Sequence, residues 1–578
     1  MITKLLETFN QSKENNNDVP SFNLPINYLD NKYHIEENIK TDLELLPTDN
    51  RISLYENIFP VNSIYAKKII PMWSEYYTAN KHFLKDSQYF IKNFNHISQP
   101  SIDEINNVHN ILEETKNETG FHEKYKYLDN KYFDFLNNSP LFLQILTIYN
   151  LTSPIISLAI PILMLIIPFF LLKFQKVSIS LKTYIQTLIS ILKNHVVGKA
   201  ITEFSHVGWD RRVFIIVSVV FYFINIYQNI ISCYTFYKNI YKIKSYLLNI
   251  NNFLKYSINS ITNINKYCKT SHSAFCNINN IVKENLLSFS NEISLIQLDT
   301  VNIRQITKIG NILGAFYQLF KNEIYNNSIV YSLYLHGYVE NITSLQSNIN
   351  TKAINFCKFT KSECSFDNAY FASLTTNTPI KNTYKLDKNI LITGPNAAGK
   401  TTILKTTLFN IIISQQLGIG CYKSAKINPY THIHSYINIP DTSERDSLFQ
   451  AEARRCKEIL DSIANSHPLE RHFCIFDEIY SGTNPSEAIA SAYSFLSFIT
   501  KNKKLDYILT THYFSLCKML NNVNRISNKQ MEIKDNENTY KLIDGISNVK
   551  GGIKVLEDLK YNNEIIISAK KIIETIDI

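Results

Sequence analysis

The residues best suited to chemistry stand at Gly394, Pro395, Asn396, Ala397, Ala398, Gly399, Lys400, Thr401 and Thr402, a stretch that fits the spacing G-x-x-x-x-G-K-[ST]. Glycines at both ends let the backbone wrap a chain of phosphates, so that amide N–H groups and a helix N-terminus face the negative charge. Lys400 is then placed to neutralise the β and γ phosphates, and Thr401 to ligate Mg2+ through its hydroxyl. Asp477 and Glu478 close the apolar run His472–Phe476, with Asp477 lying 77 residues after Lys400. Asp477 suits the Mg2+ shell, and Glu478 suits a general base that polarises an attacking water. His512 ends the run YILTTH, where an imidazole is placed to sense the γ phosphate or to orient that water.

These groups need a scaffold that brings strand ends together. From about Asn382 onward, short β-branched runs (NILIT, HFCIFDE, DYILTTH) alternate with longer helical patterns such as TTILKTTLFNIII. That alternation predicts an α/β domain with a largely parallel sheet, which binds ligands at the carboxyl ends of its strands.

With these motifs in hand, TGPNAAGKTT, FDEIYSGTNP and LTTHYFSL together resemble the ATPase domain of the MutS family of mismatch-repair ATPases and their relatives. The likeness continues in Ser447–Glu452, similar to the family's S-x-F-x-x-E segment, and in Tyr540–Ser547 with the closing helix EIIISAKKII. It covers about Asn382 to Ile573. The resemblance implies ATP and Mg2+ as cofactors, Asn382 beside the nucleotide, and a dimer in which Ser447 reaches the partner's nucleotide in trans. It also implies a link to DNA. TDLELL at Thr41–Leu46, followed by SLYENIF, resembles the start of the family's helical core and lever domain. The family's mismatch readers begin with a separate domain bearing a Phe-x-Glu wedge, and the roughly 50 residues before the core are too few for one, so mismatch reading is not expected. Phe121-His122-Glu123 fits the three-residue pattern but falls within a helical region, where it reads as coincidence.

The chain has 578 residues with 45% apolar and 19% charged, which excludes a disordered or collagen-like chain and allows several domains. A net charge of +9 is compatible with a nucleic-acid or anionic-membrane partner without requiring one. Nine cysteines with no C-x-x-C pair argue against a disulfide scaffold, and Cys268, His272 and Cys276 lack an obvious fourth metal ligand. The averages conceal two uncharged blocks: 38 residues from Phe135 to Leu172 and 25 from Val213 to Tyr237. Each meets the roughly 20-residue requirement for crossing a hydrocarbon core. Pro154, Pro161 and Pro168 interrupt the first, placing its likeliest span at 154–172, and the second at 213–233. Between them VSISLKTYIQTLISILKNHV has an amphipathic pattern that suits a membrane interface, so a spanning hairpin, a re-entrant hairpin and a surface helix all fit.

The expected organisation is a polar, loop-like N-terminal segment (1–50), a first helical lever arm (51–134), a hydrophobic hairpin (135–237), a second arm (238–372) and an ATPase domain (373–578). The expected fold class is thus a C-terminal P-loop NTPase domain of the MutS/ABC type plus a mainly α-helical core and lever. Three functions compete: a dimeric, membrane-tethered MutS-like ATPase facing the cytoplasm or nucleoplasm; a soluble repair ATPase with the apolar runs buried; and an ABC-type transporter. No LSGGQ-like segment lies between Lys400 and Asp477, which counts against the last.

Overall fold

A computed structural model describes residues 19–47, 52–95, 100–117, 120–174, 180–193, 196–296, 308–374, 379–437, 447–535, 537–547, 556–557 and 559–575. The chain divides into two compact units. One comprises mainly Pro100–Ile258 and Val282–Val330, and the other Pro20–Gln99, Asn259–Ile281 and Tyr331–Ile578. This differs from the linear division expected from sequence, because residues 52–95 pack with the C-terminal α/β elements rather than with the rest of the first arm.

The α/β unit is organised around a six-stranded sheet. Its strand order is 537–544, 526–534, 389–393, 505–511, 472–477 and 432–436, all parallel except the first, which forms an antiparallel hairpin with the second. Asn389–Thr393 and Leu505–Thr511 are buried along their whole length, as expected of strands covered on both faces. A second, mixed five-stranded sheet is formed by 355–359, 365–369, 382–385, 419–420 and 424–427.

The helix Lys400–Leu417 is buried along nearly its whole length and ends at Gly418, whose φ of 73° gives the left-handed turn that stops a helix. Its polar residues are therefore paired inside the fold. Tyr384 bonds Thr407, Asn410 accepts from the Cys421 amide, and Ser414 bonds the Tyr422 hydroxyl. At its last turn Gln415 donates to the carbonyls of Thr78 and Tyr430, and Gln416 to those of Trp73 and Tyr76 while accepting from the Tyr55 hydroxyl.

The N-terminal segment is not loop-like over its described part. Lys32–His34 pairs with Tyr76–Thr78, Glu37–Asp42 forms a helix, and Leu24, Ile35 and Leu43 are fully buried. Its few apolar residues are nearly all used, which composition alone underrates. Nearby, the helix Glu323–Asn350 approaches Ile64–Trp73 so closely at Gly337 that a Cβ there would lie 2.6 Å from the Tyr65 carbonyl carbon.

In the helical unit the first apolar block is one 35-residue helix, Pro140–Phe174, and the second opens the 59-residue helix Trp209–Tyr267. The three internal prolines do not break the first helix. They recur every seven residues and so share one face, where Pro154 and Pro168 are buried. A proline in a helix frees the carbonyl four residues earlier. Here Ser153 Oγ donates to the Asn150 carbonyl, and Tyr222 Oη on the neighbouring helix donates to that of Ser157 at 3.2 Å. Asn229 Nδ2 donates to Ser157 Oγ as well. Phe121 lies in this unit's core, stacked on Phe320 at 3.8 Å, so its three-residue pattern is a packing feature. His272 is buried against Phe83 and Ser87, and no cluster able to hold a metal occurs among the described residues.

The buried Gln416 yields a stability test. Gln416→Leu strands the Tyr55 hydroxyl and two carbonyls, at a cost of about 3 kcal/mol. Thermal unfolding of the full chain should begin at a lower temperature than in wild type, and an unchanged transition would show that these bonds contribute little.

Candidate nucleotide site

The carboxyl ends of the strands 389–393, 472–477 and 505–511 lie side by side in the sheet, and the residues that follow them converge. Between Gly394 (φ 158°) and Gly399 (φ 92°) the chain forms a loop that opens directly into the helix starting at Lys400. Gly399 requires its left-handed backbone, and a Cβ there would stand 3.1 Å from the Tyr540 ring. A Cβ on Gly394 would stand equally close to Met531. The hairpin 526–544 thus lies against the loop, and Asn538 Nδ2 donates to the Ala397 carbonyl.

Beside this loop is a cavity of about 770 Å3. One wall is the loop and first helical turn, from Pro395 to Ile403, with Asp477 and Glu478; the other includes Phe371, Ile380, Asn382 and Tyr540. Thr401 Oγ1 donates to Asp477 Oδ2 at 2.8 Å, and Thr510 Oγ1 holds the other carboxylate oxygen. Lys400 Nζ folds back to donate to the carbonyls of Gly394 (2.9 Å) and Pro395 (3.2 Å), 3.6 Å from Glu478 Oε1. His512 Nδ1 is 3.3 Å from the same oxygen. The His512 imidazole, and after it Lys400, hold the Glu478 carboxyl below the usual carboxylate range, against the burial that pushes it up.

Just after Asp477, Glu478 (φ 53°) and Tyr480 (φ 58°) occupy left-handed backbone, a strain of order 1 kcal/mol or more each that persists only where the surroundings enforce it. The enforcing contact comes from Glu452, a buried carboxylate that accepts from the amides of Ser481 and Gly482 and from the Ser481 hydroxyl. Gly482 in turn lies against the N-terminus of the helix Leu448–Asn465, where a Cβ would meet the Phe449 nitrogen at 2.7 Å.

Lys400, Thr401, Asp477, Glu478 and His512 are therefore brought together, and Pro395 to Thr402 line the cavity as the motif requires. Asn382 lines it too, but its amide is engaged by the Tyr540 carbonyl and the Leu542 N–H, so it fixes the hairpin's position at the cavity wall. Ser447 is not in the cavity of its own chain; it is exposed and caps the helix Leu448–Asn465 by accepting from the Gln450 amide. Sequence reasoning missed Thr510, although the paired threonines of YILTTH stand at the right strand end. It also missed the anchoring role of Glu452 and the contact of Met531 and Tyr540 with the loop glycines.

Residues 390–577 match the family model for MutS domain V. The C-terminal third of this chain is similar to MutS domain V. It is 31% identical over 191 residues to the DNA mismatch repair protein MutS of Orientia tsutsugamushi, a match covering 32% of this chain and 21% of that protein. Endonuclease MutS2 of Lachnoclostridium phytofermentans is 29% identical over 192 residues, 32% of this chain and 23% of the relative. Endonuclease MutS2 of Staphylococcus aureus is 31% identical over 214 residues, 36% of this chain and 29% of the relative. The chain thus spans less than a third of the length of these relatives.

Gly399→Ala should weaken binding of a fluorescent ATP analogue to this domain tenfold or more, because both the backbone and Tyr540 oppose the added methyl. The unfolding temperature should change little. Wild-type affinity in the variant would mean that the loop geometry described above is not the one that binds.

Proposed function

We propose that the chain is a MutS-like ATPase that works as a homodimer linked to DNA without mismatch specificity, and that its apolar helices tether it to a membrane. The observation carrying the catalytic part is the convergence of Lys400, Thr401, Asp477 and Glu478 on one cavity beside the Gly394–Gly399 loop, with His512 set against Glu478. In this reading the ATP phosphates lie along the amides from Asn396 to Thr402, and Lys400 exchanges its two loop carbonyls for the β and γ phosphates. The Thr401 hydroxyl and Asp477 carboxylate are adjacent hard oxygen donors, which suits Mg2+, and they are the residues that would hold it. Mg2+ bound there would supply charge neutralisation between the phosphates. Glu478, kept ionised through neutral pH by His512 and Lys400, accepts a proton from the attacking water, while His512 orients that water.

The dimer is supported by the position of Ser447, exposed at the start of a helix whose other end of influence is the loop after Glu478, through Glu452 and Gly482. DNA as a partner rests on the names of the relatives, a mismatch repair protein and endonucleases. The membrane tether is supported by exposure. In the stretch Pro140–Ile160 of the first helix and in the helix Trp209–Tyr267, only 17% and 11% of the most apolar windows are buried, which disfavours the soluble reading with these helices inside a core. In this reading the ATPase domain faces the cytoplasm or nucleoplasm.

Glu478→Gln should still bind ATP while hydrolysis falls by about two orders of magnitude or more. Mixing Lys400→Ala with Ser447→Ala chains should restore part of the activity that each lacks alone. Substantial turnover by Glu478→Gln would remove the general base, and failure to complement would remove the shared site.

Carbonate washing tests the tether separately: the full chain should stay in the membrane pellet, and release into the supernatant would favour the soluble alternative.

A further inference from the structure

The five-stranded mixed sheet has the order 382–385, 365–369, 424–427, 355–359 and 419–420. One face is apolar: Cys357, Phe366, Tyr384 and Ala425 are buried, and the Tyr384 hydroxyl bonds Thr407 of the helix Lys400–Leu417. The other face carries a row fixed by strand register, with Lys385 opposite Ser365, Ser365 opposite Lys426, and Lys426 opposite Lys358. These lysines are exposed, and the row spans about 14 Å. Strands 355–359 and 382–385 run in the same direction. Lys361 and Lys388, three positions beyond Lys358 and Lys385, are also exposed and lie at one common end of the sheet.

The positive charge is not balanced within the sheet. Residues 352–388 and 423–426 hold eight lysines against Glu363, Asp367 and Asp387. Glu363 is paired with Lys426, with Lys385 further off, and Asp367 lies 3.8 Å from Lys423. The ammonium groups of Lys358, Lys361, Lys385 and Lys388 take part in no hydrogen bond or ion pair among the described residues. Like charges facing each other on adjacent strands repel. Lys358 and Lys426 do so on interior strands, where no lysine is needed to protect a sheet edge. Past the same end of the sheet, Lys81 donates to the Thr360 carbonyl. Burial, and after it the cations Arg471, Lys361 and Lys85, hold the Lys81 ammonium below the usual lysine range.

We propose that this face of the mixed sheet docks the phosphodiester backbone of duplex DNA, an inference that rests on the DNA-linked reading above and gives it a surface on the ATPase unit. Lys358, Lys361, Lys385 and Lys388 each meet a phosphate, while Lys426 keeps Glu363. Duplex DNA carries a charge about every 1.7 Å of its axis, so lysines spread over this width find phosphates whatever the base sequence. Among the described residues from 352 to 428, Ile380 is the one large apolar side chain exposed. The face therefore offers neither an aromatic platform for unpaired bases nor an apolar anchor for a bilayer surface, and charge alone selects its partner.

Fluorescence anisotropy of a labelled duplex, titrated with the full chain in detergent over a range of salt concentrations, tests the surface. The variant Lys358→Gln/Lys361→Gln/Lys385→Gln/Lys388→Gln should bind at least tenfold more weakly at about 100 mM salt, with a log–log salt slope shallower by about 3–4. It should unfold no earlier than wild type, because losing Lys358 relieves the repulsion with Lys426. Lys501→Gln/Lys503→Gln/Lys504→Gln/Lys518→Gln removes the same charge elsewhere and should bind as wild type does. Equal binding by wild type and the sheet variant would overturn the surface and leave the DNA link standing. An equal loss in the second variant would reduce the effect to net charge and also overturn the surface. Wild type that binds no duplex would overturn the DNA link and this inference with it. Retention on phosphatidylglycerol-coated beads that the sheet variant loses, with duplex binding unchanged, would assign the face to an anionic membrane and overturn DNA as its occupant.

Discussion

A helix buried on nearly every side cannot leave a polar side chain without a partner, and the helix Lys400–Leu417 carries many of them. Thr406, Thr407, Asn410, Ser414, Gln415 and Gln416 are all enclosed. Thr406 and Thr407 donate back to their own helix, while others reach the second sheet and the backbone of residues 73–78. Because a buried amide without a partner costs about 1–3 kcal/mol, these bonds specify one position for the helix among several that apolar packing alone would tolerate. That position sets where Lys400 and Thr401 emerge at its N-terminus. The phosphate loop at one end and residues 73–78 at the other are therefore held by the same helix.

The backbone around Glu478, on the same wall of the cavity, is held by strain balanced against hydrogen bonds. Glu478 and Tyr480 take left-handed backbone, and the buried carboxylate of Glu452 receives three donors from the two residues that follow. Glu452 belongs to the helix capped by Ser447, so the backbone around the candidate base is coupled to the exposed start of that helix. Lys400, meanwhile, satisfies its ammonium with two carbonyls of its own loop and lies near Glu478. The loop's internal bonds are thus ones that a phosphate chain can replace one for one.

The α/β domain was legible because its signals are local. Each strand is a short apolar run ending in the residue that matters, and the loop glycines sit where the backbone needs them. The features that escaped notice depend on partners distant in sequence. Thr510 acquires meaning only beside Asp477, Glu452 only beside Ser481 and Gly482, and Met531 with Tyr540 only against the loop. Residues 20–47 looked loop-like because their composition is polar, yet Leu24, Ile35 and Leu43 are placed so that each reaches the core. The prolines of the first apolar block misled for the opposite reason. Proline reads locally as a helix breaker, but a seven-residue repeat keeps all three on one face, where hydroxyls of Ser153 and Tyr222 take up freed carbonyls.

The discontinuity of the α/β unit bears on how the chain is made. That unit draws on Pro20–Gln99, Asn259–Ile281 and Tyr331–Ile578, so its first segment leaves the ribosome long before its last. The apolar helices fall in between, and 341 residues remain to be added after Tyr237. At roughly 5–20 residues per second, that is a delay of roughly 20–70 seconds, and every strand of the six-stranded sheet is made within it. The two apolar helices are therefore complete before any strand of the six-stranded sheet exists to fold around them.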